Sequence, residues 1–228
     1  MTALSPEEMG AILLSLKVAL AATAASLPLA FLTALALARG RFPGKSLLDA
    51  VVHMPLVLPP VATGFALLLL FGRKGVIGAW LAKAGIVFAF DWTGAALAAA
   101  VMAFPVMVRP IRISIEAIGT EVEDSARTLG ASAVMRIVRI VLPLAAPGLL
   151  AAAVLGFAKA LGEFGATITF VGAIPGESLT LPVAIYGATQ SPGAEGRAVA
   201  LCIVAAVIAL AAVLLSDFIS RRIARPPV

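Results

Sequence analysis

Five apolar runs dominate this sequence, each near the ~20 residues a helix needs to cross ~30 Å of hydrocarbon. They cover about Ala11–Leu37, Leu47–Phe71, Gly94 to beyond Val108, Ile140–Ala160 and Ala198–Ile219. Runs of this length predict an all-α fold: a polytopic membrane helix bundle of about five transmembrane helices. Composition agrees. Only 13% of the 228 residues are charged, against roughly a quarter in a soluble domain. Mean hydropathy is +1.08. Polar side chains are too few to cover a water-facing surface. A soluble enzyme, a disulfide scaffold (Cys202 is the sole cysteine) and a disordered tail are thereby excluded. No internal repeat or low-complexity tract divides residues 1–228, which read as one domain.

Lysines and arginines set the orientation. Arg39, Arg41 and Lys45 follow the first run. Arg109, Arg112, Arg127, Arg136 and Arg139 follow the third, and Arg221, Arg222 and Arg225 close the chain. Those eleven lie on one side, against Arg73, Lys74, Lys83 and Arg197 on the other. The asymmetry predicts an amino terminus outside and a carboxyl terminus in the cytoplasm, as an odd number of spans requires. The first run is a span and not a signal peptide. Its amino end carries Glu7 and Glu8 in place of a basic cluster, and Arg39 and Arg41 follow it. In such a chain the net charge of +5 records topology, and nucleic acid is not expected as a partner.

Catalytic constellations are missing from the pattern. His53 is the sole histidine, expected at the cytoplasmic interface. Neither a His-based triad nor a Cys- or His-rich metal site can be assembled, so no catalytic and no metal-binding residues are assigned. Gly40–Ser46 approaches a phosphate-binding loop but is one residue short, with Arg39 where the first glycine belongs. Cys202 is expected to serve small-residue packing in the fifth span.

Prolines interrupt the second run. Pro55, Pro59 and Pro60 fall within Met54–Gly64. Each removes a backbone donor and bends a helix, and broken helices line transport pathways. Lys159 and Glu163, four apart, are expected to pair on one face at the outer end of span four. Residues 72–93 predict an interfacial helix anchored by Trp80 and Trp92. Residues 161–197, rich in Gly and Pro yet apolar, predict irregular backbone buried in protein or lining a cavity.

The loop at about 116–143 is the most informative stretch. Thr120 and Glu123 form a capping box that predicts a helix start, and Asp124 adds favourable charge to its first turn. Gly130 is a good left-handed terminator. A second short helix to about Arg139 would follow, with Pro143 near the first turn of span four. The residues alone leave an ordinary amphipathic connector equally open.

Resemblance separates the two. Asp124-Ser125-Ala126, three residues, Gly130, nine residues, then Ile140, one residue and Leu142-Pro143 resembles the coupling-loop signature of importer-type ABC permeases. That signature reads E-A-A, three residues, G, nine residues, I-x-L-P; here Asp124 replaces the Glu and Ser125 the first Ala. Ala158–Val171, with the core L-G-E-F-G-A, Ile174–Glu177 and Leu181–Tyr186, is similar to the permease family of molybdate importers. The L-G-E-F-G-A core also occurs in sulfate permeases.

The resemblance implies a transport subunit and not an enzyme, in the cytoplasmic (inner) membrane of a prokaryote. It implies a second copy of the chain, two cytoplasmic ATPase subunits and an extracytoplasmic molybdate-binding protein as partners. This chain would bind no cofactor; ATP and Mg would sit on the ATPase. Glu123–Ala131 would dock on that ATPase, with Glu123 and Arg127 on one helix face and Leu129 in an apolar pocket. Pro59, Pro60, Thr63, Gly64, Glu163, Thr167 and Thr169 are the candidate pathway residues, because backbone N–H groups and hydroxyls can hold an oxyanion without a fixed cation. Sulfate or tungstate are the alternative cargoes, and a secondary carrier the alternative class.

Overall fold

The computed structural model describes residues 4–223, with the backbone alone at 216, 217 and 219–223. Of the tail arginines used for orientation, Arg225 lies outside the described residues. The side chains of Arg221 and Arg222 do too. All regular structure among the described residues is helical.

Three helices are each long and apolar enough to cross a membrane: α1 (Pro6–Arg39), α5 (Trp92–Glu116) and α12, of which Glu195–Leu215 meets the test. Two bent pairs bring the total up to five if each counts as one span. The first is α2 (Lys45–Val57) with α3 (Pro60–Phe71), the second Ala133–Leu144 with α9 (Ala146–Leu161). Between them lie α4 (Gly78–Lys83) and α6 (Thr120–Thr128). Ala133–Leu144 comprises α7 (Ala133–Arg136), a π-turn (Ile137–Val141) and α8 (Leu142–Leu144). Two short helices, α10 (Gly165–Val171) and α11 (Leu181–Thr189), precede α12 (Glu195–Ile223).

Helices α1, α5 and α9 form the core, and each presents small residues at every fourth position. Ala22, Ser26, Ala30 and Ala34 are buried on α1. Ala95, Ala99 and Ala103 are buried on α5, and Gly148, Ala152, Gly156 and Ala160 on α9. Residues four apart share a helix face, so each helix carries a flat stripe. Flat stripes let backbones approach closely, which matters in a membrane because burying apolar surface there gains nothing over lipid. Larger side chains fill the space beyond the stripes: Met107, Ile111 and Ile115 of α5 and Leu37 of α1 are fully buried.

The expected second span is not one helix. It breaks at Leu58–Pro59, and α2 and α3 meet at 114°. A residue before proline is pushed out of the α region. Leu58 (ψ 143°) precedes Pro59, and Pro59 (ψ 134°) precedes Pro60, so two consecutive residues are extended. The lone Pro55 stays inside α2. The expected fourth span also starts later, at Ala146, after a 68° bend. Pro147 has no N–H to offer the carbonyl four residues back, and the helix is interrupted at Ala145.

The loop at residues 72–93 does hold a helix. Its helix, α4, is only six residues long. Trp80 is 73% exposed, whereas Trp92 opens α5 and lies under the Lys17 ammonium, 3.5 Å from the ring centre. Cys202 is exposed and not packed inside.

Both ends of the bundle are tied by long-range polar contacts. At one end Glu8 of α1 bonds Arg197 of α12 at 2.8 Å, and Ser15 Oγ accepts the Leu181 N–H of α11 at 2.6 Å. At the other, Arg112 of α5 reaches Asp49 of α2 at 3.2 Å and Glu116 at 2.8 Å, with His53 Nδ1 3.2 Å from Asp49.

The stripes predict a specific weakness. A Cβ on Gly156 would fall 2.6 Å from Met107 Cγ. Gly156→Leu is expected to wedge α9 off α5 at a cost of about 1–3 kcal/mol. A lowered thermal midpoint in detergent checks it, with exposed Leu155→Ala as the control that stays near wild type.

Candidate functional site

Two regions gather the residues singled out from the sequence. The first is the exposed segment around α6 at the Arg39 end of the bundle. Helix α6 buries none of its residues. Asp124, Ser125, Arg127, Thr128 and Gly130 face solvent, and Leu129 is 88% exposed. Only Glu123 and Ala126, three apart, turn inward. Gly119 caps α6, with no side-chain cap, and Gly130 follows in the left-handed region at φ 84°. A Cβ at either glycine would meet nothing within 4 Å.

The expected capping box does not form. Thr120 is the first residue of the helix, and the Glu123 carboxylate is taken by Arg39, whose Nε donates to it at 2.8 Å. Arg39 Nη2 donates to the Ile118 carbonyl at 2.7 Å. Arg127, which shares the face of Glu123, approaches Asp124 instead, at 3.8 Å. Beyond Gly130, Ser132 caps α7 through the Met135 N–H, and Arg136 donates to the Ala131 carbonyl at 3.0 Å. The second helix does not end near Arg139: it passes through the π-turn into α8. Ile140, Leu142 and Pro143 therefore belong to the bent lead into α9 and not to the exposed segment. Ala131 is half-buried at the turn.

The second region is the crossing of two broken elements, α3 and α10. Gly64 makes it possible: a Cβ there would lie 2.5 Å from the Ala166 carbonyl oxygen and 2.9 Å from Thr169 Cβ. A Cβ on Gly165 would meet Pro60 at 2.7 Å. Pro60, Gly64 and Thr169 thus come together as candidates, with Pro59 exposed at the break beside them. Glu163, 3% exposed, anchors the start of α10. One oxygen accepts the Ala166 N–H at 3.0 Å and the other pairs with Lys159 at 2.8 Å, as the spacing predicted. Its charge is spent internally.

Thr169 Oγ1 donates to the Gly165 carbonyl at 2.8 Å. Thr63, in the same turn as Gly64, is 6% exposed and its hydroxyl has no hydrogen-bond partner. Thr167 is buried, 1% exposed, in α10. The site is polar through hydroxyls and main chain, with no free cation among these residues.

Sequence reasoning missed Arg39 as a structural partner and missed the Asp49–His53–Arg112–Glu116 cluster. Arg39 carried only a topological signal, and its partner Glu123 is 84 residues away.

Relatives fit this geometry. Residues 26–225 match the family of binding-protein-dependent transport system inner membrane components. The chain is 52% identical to the molybdenum transport system permease protein ModB of Haemophilus influenzae over 216 residues, 94% of both chains. It is 42% identical to the sulfate transport system permease protein CysT of Escherichia coli over 138 residues, 60% of this chain and 50% of that one. A solved bacterial alginate ABC transporter, in complex with an alginate pentasaccharide-bound periplasmic protein, shares the fold. Its TM-score is 0.78 at 21% identity, covering 98% of this chain and 82% of that one. The chain belongs to the binding-protein-dependent transport permease family, a family of multi-pass membrane transport components and not of enzymes.

Two substitutions probe the two regions. Gly130→Val forces a β-branched residue into a left-handed conformation. It is expected to abolish substrate-stimulated ATP hydrolysis by the assembled transporter while the spans still insert, as protease accessibility would show. Gly64→Ala is expected to push α3 off α10 and cut uptake at least tenfold with the protein still folded, read by uptake and detergent elution profile.

Proposed function

On the premise of that family, we propose that this chain is the membrane-spanning permease subunit of an ATP-driven molybdate importer. The observation that carries the reading is the end-to-end similarity to a molybdenum permease, against a sulfate match over little more than half the chain. In this reading two copies form a homodimer in the cytoplasmic membrane of a prokaryote. Each copy has its amino terminus outside and its carboxyl terminus inside. Five spans rarely enclose a pathway alone, and symmetric pairing supplies the other wall. Two cytoplasmic ATPase subunits bind ATP and Mg, and an extracytoplasmic protein delivers molybdate.

The exposed lever α6 is the docking element. Leu129 offers an apolar knob, and Asp124, Ser125 and Arg127 offer polar contacts around it. ATP-driven closure of the ATPase pair draws the two levers together and opens the pathway outward; hydrolysis resets it inward. A partner that displaces α6 moves it as a unit between Gly119 and Gly130. The cargo passes the α3–α10 crossing, where Thr63, Thr167, Thr169 and main-chain groups around Pro59, Pro60 and Gly64 provide weak, uncharged contacts. Weak contacts suit passage, since a tight site would hinder release.

Reconstitution with the cognate ATPase and binding protein tests this. Molybdate and tungstate, near-isosteric dianions, are expected to stimulate ATP hydrolysis and sulfate is not. Stimulation by sulfate alone would overturn the cargo, and failure to assemble with any ATPase would overturn the class.

A further inference from the structure

We infer that Arg39 is a strut through which movement of the lever enters α1 and reaches the far end of the bundle. The inference rests on the transport reading above.

None of α6's own residues is buried, and its side-chain bonding to the membrane-crossing helices runs through this arginine. Both backbone joints of α6 are glycines in open space. Among the described residues, the Arg39–Glu123 pair is the one side-chain hydrogen bond or ion pair joining α6 to a membrane-crossing helix. Its guanidinium is forked: Nε holds Glu123 at 2.8 Å and Nη2 holds the Ile118 carbonyl at 2.7 Å. Ile118 lies just past the end of α5, where carbonyls lack intrahelical partners. One planar group thus fixes the angle between lever, α5 end and α1 end. Side-chain exposure of 22% and 19% for the pair limits screening by water. Lysine could satisfy one arm but not the planar fork.

What Arg39 grips on the other side is a rod. α1 runs 34 residues as one helix, about 50 Å at 1.5 Å per residue; Pro28 removes one backbone bond inside it, and Ser26, Ala30 and Phe31 around that point are buried. Its far end is clamped to the last two helices. Glu8 holds Arg197, Ser15 holds the Leu181 N–H, and Ile12 packs in one apolar cluster with Leu181 and Leu201. A displacement of α6 that the glycine joints would otherwise absorb is passed to α1, and through it to α11 and α12 on the opposite side. Arg39 is a positioning residue: it touches no cargo.

The test uses the full transporter, assembled from this chain with its ATPase and binding protein. Arg39→Gln should still co-purify with the ATPase and hydrolyse ATP, but move about 2- to 30-fold less molybdate per ATP, the range of coupling changes carried by contact networks. Arg39→Lys should fall between it and wild type. The swap Arg39→Glu with Glu123→Arg should recover part of the ratio. Independently of cargo, ATP binding should change hydrogen exchange over residues 181–197 in wild type and not in Arg39→Gln. Unchanged molybdate per ATP in Arg39→Gln, or unchanged ATP-dependent exchange, would overturn the strut. Loss of ATPase co-purification would also overturn it, reducing Arg39 to a folding contact. A wild type that fails to move molybdate yet shows the exchange difference counts against the cargo and keeps the strut; one that binds no ATPase sinks both.

Discussion

Close approach of α1, α5 and α9 is the constraint on which the rest depends. Lipid removes the usual reward for burying apolar side chains, so helices must hold together by contact at short range and by polar pairs. Small residues every fourth position provide the first: Ala95, Ala99 and Ala103 of α5 face α1 and α9 without a side chain longer than one methyl. The three-helix core then acts as a rigid frame. The breaks at Pro59 and Ala145 and the short α10 and α11 are built around that frame, and α10 joins its core through Ala166, Phe170 and Val171.

That division explains where the molecule keeps its polar groups. The frame interior is apolar apart from small hydroxyl residues. Charges sit at its ends, in reciprocal pairs such as Glu8–Arg197 and Arg112–Asp49, or close on themselves, as Lys159–Glu163 does. An uncompensated charge in the frame would cost several kcal/mol. At the α3–α10 crossing the polar groups are instead hydroxyls, of which those of Thr63 and Thr167 are buried, and the main chain around the proline break.

The sequence made some of this readable and hid the rest for physical reasons. The all-helical, membrane-crossing character and helix α6 with its glycine stop could be read because they rest on local pattern: hydropathy over twenty residues, or a left-handed glycine after a helix. Lys159–Glu163 was readable because both groups lie on one helix turn. The break at Pro59–Pro60 was indicated, but not the 114° angle, which tertiary contact sets. The capping box failed because a local rule competed with a distant charge, and Arg39, 84 residues from Glu123, won. The small-residue stripes were present in the sequence at a spacing of four. They went unread because alanine in an apolar run looks the same on a lipid face as on a packed one.

The same competition accounts for the shape of the lever. A helix whose own amino-terminal cap was satisfied by Glu123 would be self-contained and indifferent to the bundle. By giving that carboxylate to Arg39, the fold leaves Gly119 to open the helix without a side-chain cap. Glycine in place of a capping side chain costs roughly a few tenths of a kcal/mol, which the charge-assisted bonds to Glu123 and to the Ile118 carbonyl offset. The helix is thereby less stable in isolation and more firmly referenced to α1.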